Sequence, residues 1–352
     1  MSEQVQVDEA NAWRLKSPGT ADWPRTARPD DPDKYLMVSA DTHANEPADL
    51  WQTRIEPKYR ERVPHVRIDE KGDRWSVTEG NRPTKIRIAA MVGQDQERNS
   101  VGATIEGRAA DHKRAGVDAE IIFPNKGLAM WATPDPELAM AGCRVWNDWA
   151  WEFYGPRNDT MSPMAALATG DLPGTLAEIE RTAKMGFRGL TLPCKPIYGG
   201  LPITYHISTG RDPRASKGNG GAVINYVSHS LSPTIEPMAN MCASGILERF
   251  PKLQFSLIEC GIGWIPWALE AMDEAYRKHH FWVRPKLQGL PSEYFKQHGS
   301  AAFQEDPVGL ALIEEFGLTD NVLWANDYPH HEGTWPHSAP AIERTMSGLS
   351  DA

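Results

Sequence analysis

"MVSADTHANEP", residues 37–47, begins as a buried strand and ends as a cluster of polar groups. Met37 and Val38 belong in a core, yet Asp41, His43 and Glu46 follow closely. Side chains at i and i+2 share one face of a strand, about 6.6 Å apart. Asp41 and His43 can therefore point the same way from its C-terminal end. A fold that places chemistry at strand ends is the natural host.

Further short apolar runs follow this one. They are "AEIIFP" (119–124), "MAALAT" (164–169), "GLTLPC" (189–194), "PITYHIST" (202–209), "LQFSLIEC" (253–260), "SAAFQ" (300–304) and "NVLWAND" (321–327). Most are near-continuously apolar, as strands covered on both faces should be. Helical stretches lie between several of them, at 136–155, 173–186 and 264–282. In the second, Leu176, Ile179 and Ala183 recur at helical spacing, Glu178, Glu180 and Arg181 are expected to face away, and Gly186 ends the helix. Eight strands alternating with helices, with no GxGxxG after the first, predict an α/β chain folded as a (β/α)8 TIM barrel. Residues 65–81 alternate around Lys71-Gly72-Asp73 and predict a β-hairpin inserted after the first strand. "KPIYGGLP" is too short for a usual parallel crossover, which needs about 10–12 residues. One outer helix, between strands four and five, is therefore expected to be missing.

Composition limits the partners. A formal net charge of −10 argues against nucleic acid and anionic membrane. No apolar run approaches the roughly 18 residues of a transmembrane helix. Residues 1–34 read as an extended arm ahead of the 35–352 barrel, with no stretch resembling a signal peptide. The four cysteines show no CxxC spacing, so reduced thiols and a cytoplasmic location are expected. The 13 tryptophans and 28 prolines suit a site built from loops and a homo-oligomer, expected as a dimer.

Catalytic groups of such barrels sit at the C-terminal ends of strands. There the first run carries Asp41 and His43, the fifth His206, the sixth Glu259, and the eighth Asp327 followed by His330 and His331. Asp41, His43, His206 and Asp327 form a nitrogen–oxygen set suited to Zn²⁺, Mn²⁺ or Fe²⁺. Taken singly, each of these groups reads as a structural histidine or a turn aspartate. Arg211, in the glycine-rich loop at 209–222, could receive a carboxylate or simply belong to a mobile loop. His229 reads as structural, His279 and His280 as surface residues, and Cys260 as a buried thiol.

"SADTHANEPADLW" resembles the D-x-H-x-x-E-P opening of the amidohydrolase-related family that includes aminocarboxymuconate semialdehyde decarboxylase and the resorcylate decarboxylases. "GVDAEIIFP", "GFRGLTLPC", "PITYHISTG", "GILERFPKLQFSLIECGIGWIPWALEAMDEAY" and "ANDYPHHEGTWPHS" resemble further blocks of that family, in order. The likeness spans roughly residues 35–345. It implies a metal-bearing barrel with one divalent ion, zinc first, held by Asp41, His43, His206 and Asp327. Glu259 stands where many relatives carry a second catalytic histidine. Glu46 and His330 match family motif positions, and Glu46, Arg211 and Trp264 are expected to face the substrate or to support the ligands. Relatives carry the missing helix and continue beyond "MSGLSDA", so a shortened chain is expected.

The leading expectation is a hydrolase acting on a small, possibly aromatic, molecule through metal-activated water, with Asp327 or Glu259 moving the proton. The alternatives are a non-oxidative decarboxylase of an aromatic or muconate-type acid, in which Asp327, Glu259 or His330 protonates carbon, and a shortened non-catalytic barrel.

Overall fold

The computed structural model describes residues 25–86, 102–194, 204–206, 218, 220–283, 287–330 and 332–350. Strand β1 (Val38–His43) pairs in parallel with β5 (Ala119–Phe123), with a register shift between Ser39 and Thr42. Next comes β6 (Met161–Pro163), divided from β7 (Ala165–Ala166) by Met164 alone, whose amide still donates to the Ile122 carbonyl. The series then runs β8 (Leu190–Pro193), β9 (Thr204–His206), β10 (Phe255–Ile258), β11 (Gly299–Phe303) and β12 (Val322–Trp324), every neighbour parallel. Beyond β12 the chain returns to β1 through a parallel bridge, Thr42 to Tyr328. All the apolar runs read from the sequence contribute to this array.

Ala40, Phe123, Met164, Ile258, Ala302 and Ala325 form one buried cluster, drawn from both ends of the strand series. A second, larger core lies between β8–β11 and their covering helices, around Leu192, Leu257, Phe295 and Phe303. Between β1 and β5 the chain forms an antiparallel sheet of β2 (His65–Ile68), β3 (Arg74–Val77) and β4 (Thr84–Lys85). Asp69 shapes its first turn by accepting from the amides of Lys71 and Asp73, with Gly72 at a φ of 80°.

The helix Pro136–Tyr154 starts where Asp135 accepts from the amides of Glu137 and Leu138, with proline in its first turn. Its Asn147 bonds both backbone groups of Ala166, which fixes the helix against β7. The next helix, Leu172–Met185, departs from expectation. Leu176 is 48% exposed and Ala183 is exposed, whereas Glu178 is fully buried. The Glu178 carboxylate accepts from Asn147 at 2.8 Å, Arg144 at 3.1 Å and Arg181 at 2.6 Å, so a polar face with Thr175 and Thr182 turns inward. Ile179 alone of the predicted apolar stripe packs on the core.

Residues 1–24 of the expected arm lie outside the described residues. Of the rest, Ala27 is buried and Arg28 pairs with Glu343. Residues 195–203, where a missing helix is expected, also lie outside them. No described helix is long and apolar enough to cross a membrane.

Candidate metal centre

Strand ends bring the polar groups together. Asp41 and His43 end β1, His206 ends β9, Glu259 follows β10 directly, and Asp327 lies three residues past β12. One ligand atom from each of Asp41, His43, His206 and Glu259 lies within 4.8 Å of all the others, and the same holds for His43, Asp327 and His330. The His43 and His206 Nε2 atoms are 3.2 Å apart. Asp41 Oδ1 is 3.5 Å from His206 Nε2 and 3.7 Å from His43 Nε2. Asp327 Oδ1 is 3.5 Å from His43 Nε2, and Glu259 Oε2 is 3.5 Å from His206 Nε2.

Both carriers of the added carboxylates have strained backbones. Glu259 has a φ of 58° and Asp327 a φ of 53°, the left-handed region that costs a non-glycine residue about 1–2 kcal/mol. The turn after Glu259 is tied down by Asp306, which accepts from the amides of Ile262 and Gly263 at 2.7 Å each. The segment after β12 is tied to β1, since the Asp327 amide donates to Asp41 O and the His43 amide to Tyr328 O.

The electrostatics favour a cation at this point. Neither oxygen of the buried Asp41 carboxylate accepts a hydrogen bond, an arrangement that is costly unless a positive charge compensates it. His43 Nδ1 lies 2.7 Å from the Pro124 carbonyl, so Nδ1 carries the proton and Nε2 turns its lone pair to the centre. Burial, reinforced by His330 and His206, pushes His43 well below its ordinary value and keeps it neutral, the form that ligates metals. The donor set thus fits a divalent ion.

Proton-holding groups border it. Burial pushes Glu259 well above its ordinary value; His206 opposes this, and Asp327 and Asp41 reinforce it. Asp327 is pushed up to about 6 by burial and by Asp41, with His330 holding it back. Burial opposes protonation of His330, but Asp327, 3.1 Å away, and the charges of Glu332 and Asp41 push it up to about 9. The His330 ring also stacks on His43, with centroids 4.2 Å apart.

Two other sequence-selected residues, Glu46 and Trp264, lie outside these clusters. The Glu46 carboxylate accepts from the amides of Asn125, Lys126 and Gly127, so it caps the turn after β5 rather than joining the centre. Trp264 packs against the large core and donates to the Cys260 carbonyl. Arg211 and His331 lie outside the described residues. Of the residues set aside, His229, read as structural, is half-buried; His279, read as a surface residue, is exposed; and Cys260, read as a buried thiol, is buried.

Sequence reasoning missed Gln304, which donates to Asp327 Oδ2 at 3.1 Å. It also missed the fully buried Arg108, paired with Glu120 of β5. The available signal was a lone glutamate inside the otherwise apolar "AEIIF".

A family model described as Amidohydrolase matches residues 40–351. Among curated proteins no match is found. An amidohydrolase from Mycobacterium avium subsp. paratuberculosis superimposes with a TM-score of 0.69 at 16% identity, over 90% of this chain and 95% of that one. The 5-carboxyvanillate decarboxylase of Sphingomonas paucimobilis gives 0.61 at 20% identity, over 88% and 93%. A 5-carboxyvanillate decarboxylase from Novosphingobium aromaticivorans, with bound manganese, gives 0.64 at 16%, over 90% and 92%. At these identities the likeness is one of fold.

Proposed function

The chain belongs to the amidohydrolase family, and from that premise we propose that it is a metal-dependent, non-oxidative decarboxylase of an aromatic or muconate-type acid. The parallel strands close into a (β/α)8 barrel in this reading, which the Thr42–Tyr328 bridge and the unbroken bonding through Met164 support. Asp41, His43, His206 and Asp327 hold one divalent ion. Glu259 is a further carboxylate within reach of it. Zinc, manganese and iron all suit such a set, and manganese is the ion bound to one structural neighbour.

The observation that carries the reading is the placement of two further carboxyl groups beside the histidines, Asp327 Oδ1 3.5 Å from His43 Nε2 and Glu259 Oε2 3.5 Å from His206 Nε2. Burial raises Glu259 above its ordinary value when no ion is bound, and a carboxyl group so placed can hand a proton to a substrate carbon. Loss of carbon dioxide needs a proton at the carbon that gives up its carboxylate, whereas hydrolysis needs an ionised base beside water. A bound divalent ion would draw electron density from the substrate's oxygens. His330, charged when protonated, would face the anionic substrate. Asp327 or Glu259 protonates the ring carbon; a C–H bond forms, the bond to the carboxylate breaks, carbon dioxide leaves, and solvent returns the proton to the carboxylate. The two 5-carboxyvanillate decarboxylases among the neighbours support the same class.

Hydrolysis, the first expectation from sequence, is the second reading. It is favoured by Asp327 itself, an ionisable carboxyl group 3.5 Å from His43 that could serve as a base beside water.

The test is incubation with dihydroxybenzoates and carboxyvanillate-type acids in D₂O, after metal reconstitution. Carbon dioxide release with one deuterium on the ring is expected. Labelled water oxygen entering an organic product, with no carbon dioxide, would sink the proposal. Asp41→Ala is expected to weaken metal affinity by at least about 10–100-fold, read as metal content after dialysis.

A further inference from the structure

The helix Ile105–Ala115 lies beneath the ligand-bearing strand ends and presents Arg108, Asp111 and His112 to them, all buried. The proposed reaction gives this cluster no part. Arg108 has no solvent exposure, and its donors go to different strands. Nε and Nη2 grip Glu120 of β5 at 2.7 and 2.6 Å. Nη1 donates to the carbonyl of His43 at 2.8 Å, and Nη2 reaches Thr42 Oγ1 at 3.0 Å. The guanidinium also sits 4.9 Å from the ring centre of Tyr328, the residue after Asp327. Tyr328 is held in turn by its hydroxyl, which donates to Asp111 of the same helix at 2.7 Å.

We infer that Arg108 is a positioning residue for the metal centre, setting the backbone of His43 directly and that of Asp327 through Tyr328. The inference rests on the metal-binding reading of Asp41, His43, His206 and Asp327. A simple buried ion pair would need only Glu120. The bonds to His43 and Thr42 go further: they fix where β1 ends, while the Pro124 carbonyl fixes the ring that the same residue carries. The planar fork matters because one group meets a carboxylate, a carbonyl, a hydroxyl and an aromatic face at once. Lysine can keep the charge opposite Glu120 but cannot reproduce that geometry.

Cobalt(II) is the probe, because its visible bands report coordination geometry and its affinity is measurable by dialysis without turnover. Arg108→Lys is expected to weaken Co²⁺ binding about 10–100-fold and to alter the bands. The double variant Arg108→Met with Glu120→Gln removes both charges of the Arg108–Glu120 pair together, and, with its fold checked by circular dichroism, it should show the same loss. The control is Asn321→Ala. Asn321, just before β12, donates to the carbonyl of Gly299 at the start of β11 and to those of Phe295 and Lys296 in the helix before it, so its loss should lower Tm while leaving Co²⁺ affinity unchanged. Arg108 variants that bind Co²⁺ like the wild type, with the same bands, overturn the inference and leave the metal reading standing. If Asn321→Ala loses affinity in step with Tm as they do, Arg108 is merely structural and the inference also falls. A wild-type chain that takes up no divalent ion defeats the metal reading itself, and the inference with it.

Discussion

Glu120 is the residue whose charge matters most to the body of the fold. Burial alone would raise its carboxyl, but Arg108 and His112, bonded to it at 2.6 and 2.8 Å, hold it well below its ordinary value of 4.5. Glu120→Gln leaves the Arg108 charge buried without its counter-charge. It should lower the unfolding free energy by about 3–5 kcal/mol, measured by urea denaturation of the metal-free chain. The pH dependence has a definite sign. A group lowered on folding contributes fully above its unfolded value and loses that contribution as pH falls through the folded one. The gap between wild type and Glu120→Gln should therefore be widest above pH 4.5 and narrow below it. A gap that widened in acid would refute the assigned pairing. Nothing in one sequence names the partner of a buried glutamate, because Arg108 and Glu120 meet only when a helix is laid on a strand.

At the scale of elements, the helix Leu172–Met185 shows where periodicity misleads. Hydrophobic spacing identifies the buried face only when apolar burial is what holds the helix. Here Glu178, gripped by Asn147, Arg144 and Arg181, decides the rotation and leaves Leu176 half in solvent. Glu178→Ala should cost about 1–3 kcal/mol, since it leaves buried donors unsatisfied. Leu176→Ala should cost much less. The ranking is read from midpoints in the same urea experiment, and the reverse order would restore the apolar face. Gly186 did end the helix as its position implies, at a φ of 115° with the Trp151 ring where a Cβ would stand. Strands were more legible than helix faces because a strand covered on both sides needs only a continuous apolar run.

For the whole molecule, the groups at the strand ends gather into two clusters that share His43, although they are spread across nearly three hundred residues, from Asp41 to His330. Their assembly was legible because the barrel expectation assigns all strand ends to one rim. The partners of Glu46 were not legible for a related reason: sequence proximity to His43 does not say that its carboxylate takes the amides of residues 125–127. An ion that binds only the folded chain stabilises it by about 2.7 kcal/mol at a hundredfold excess over Kd. Chelator-treated protein should accordingly melt lower than protein with added Mn²⁺, and Asp41→Ala should abolish the difference. The effect should fade as pH falls, because protons compete for the imidazoles and carboxylates. A melt indifferent to both chelator and metal would count against the centre.

The left-handed backbones of Glu259 and Asp327 carry a consequence of their own. Glycine adopts that conformation without strain, and it would also remove a carboxylate that folding must strip of water. On stability alone, substitution at either position runs towards a sturdier and chemically silent chain. Two acidic side chains standing where the backbone would suit glycine are what the proposed chemistry of this site, rather than folding, calls for at these points.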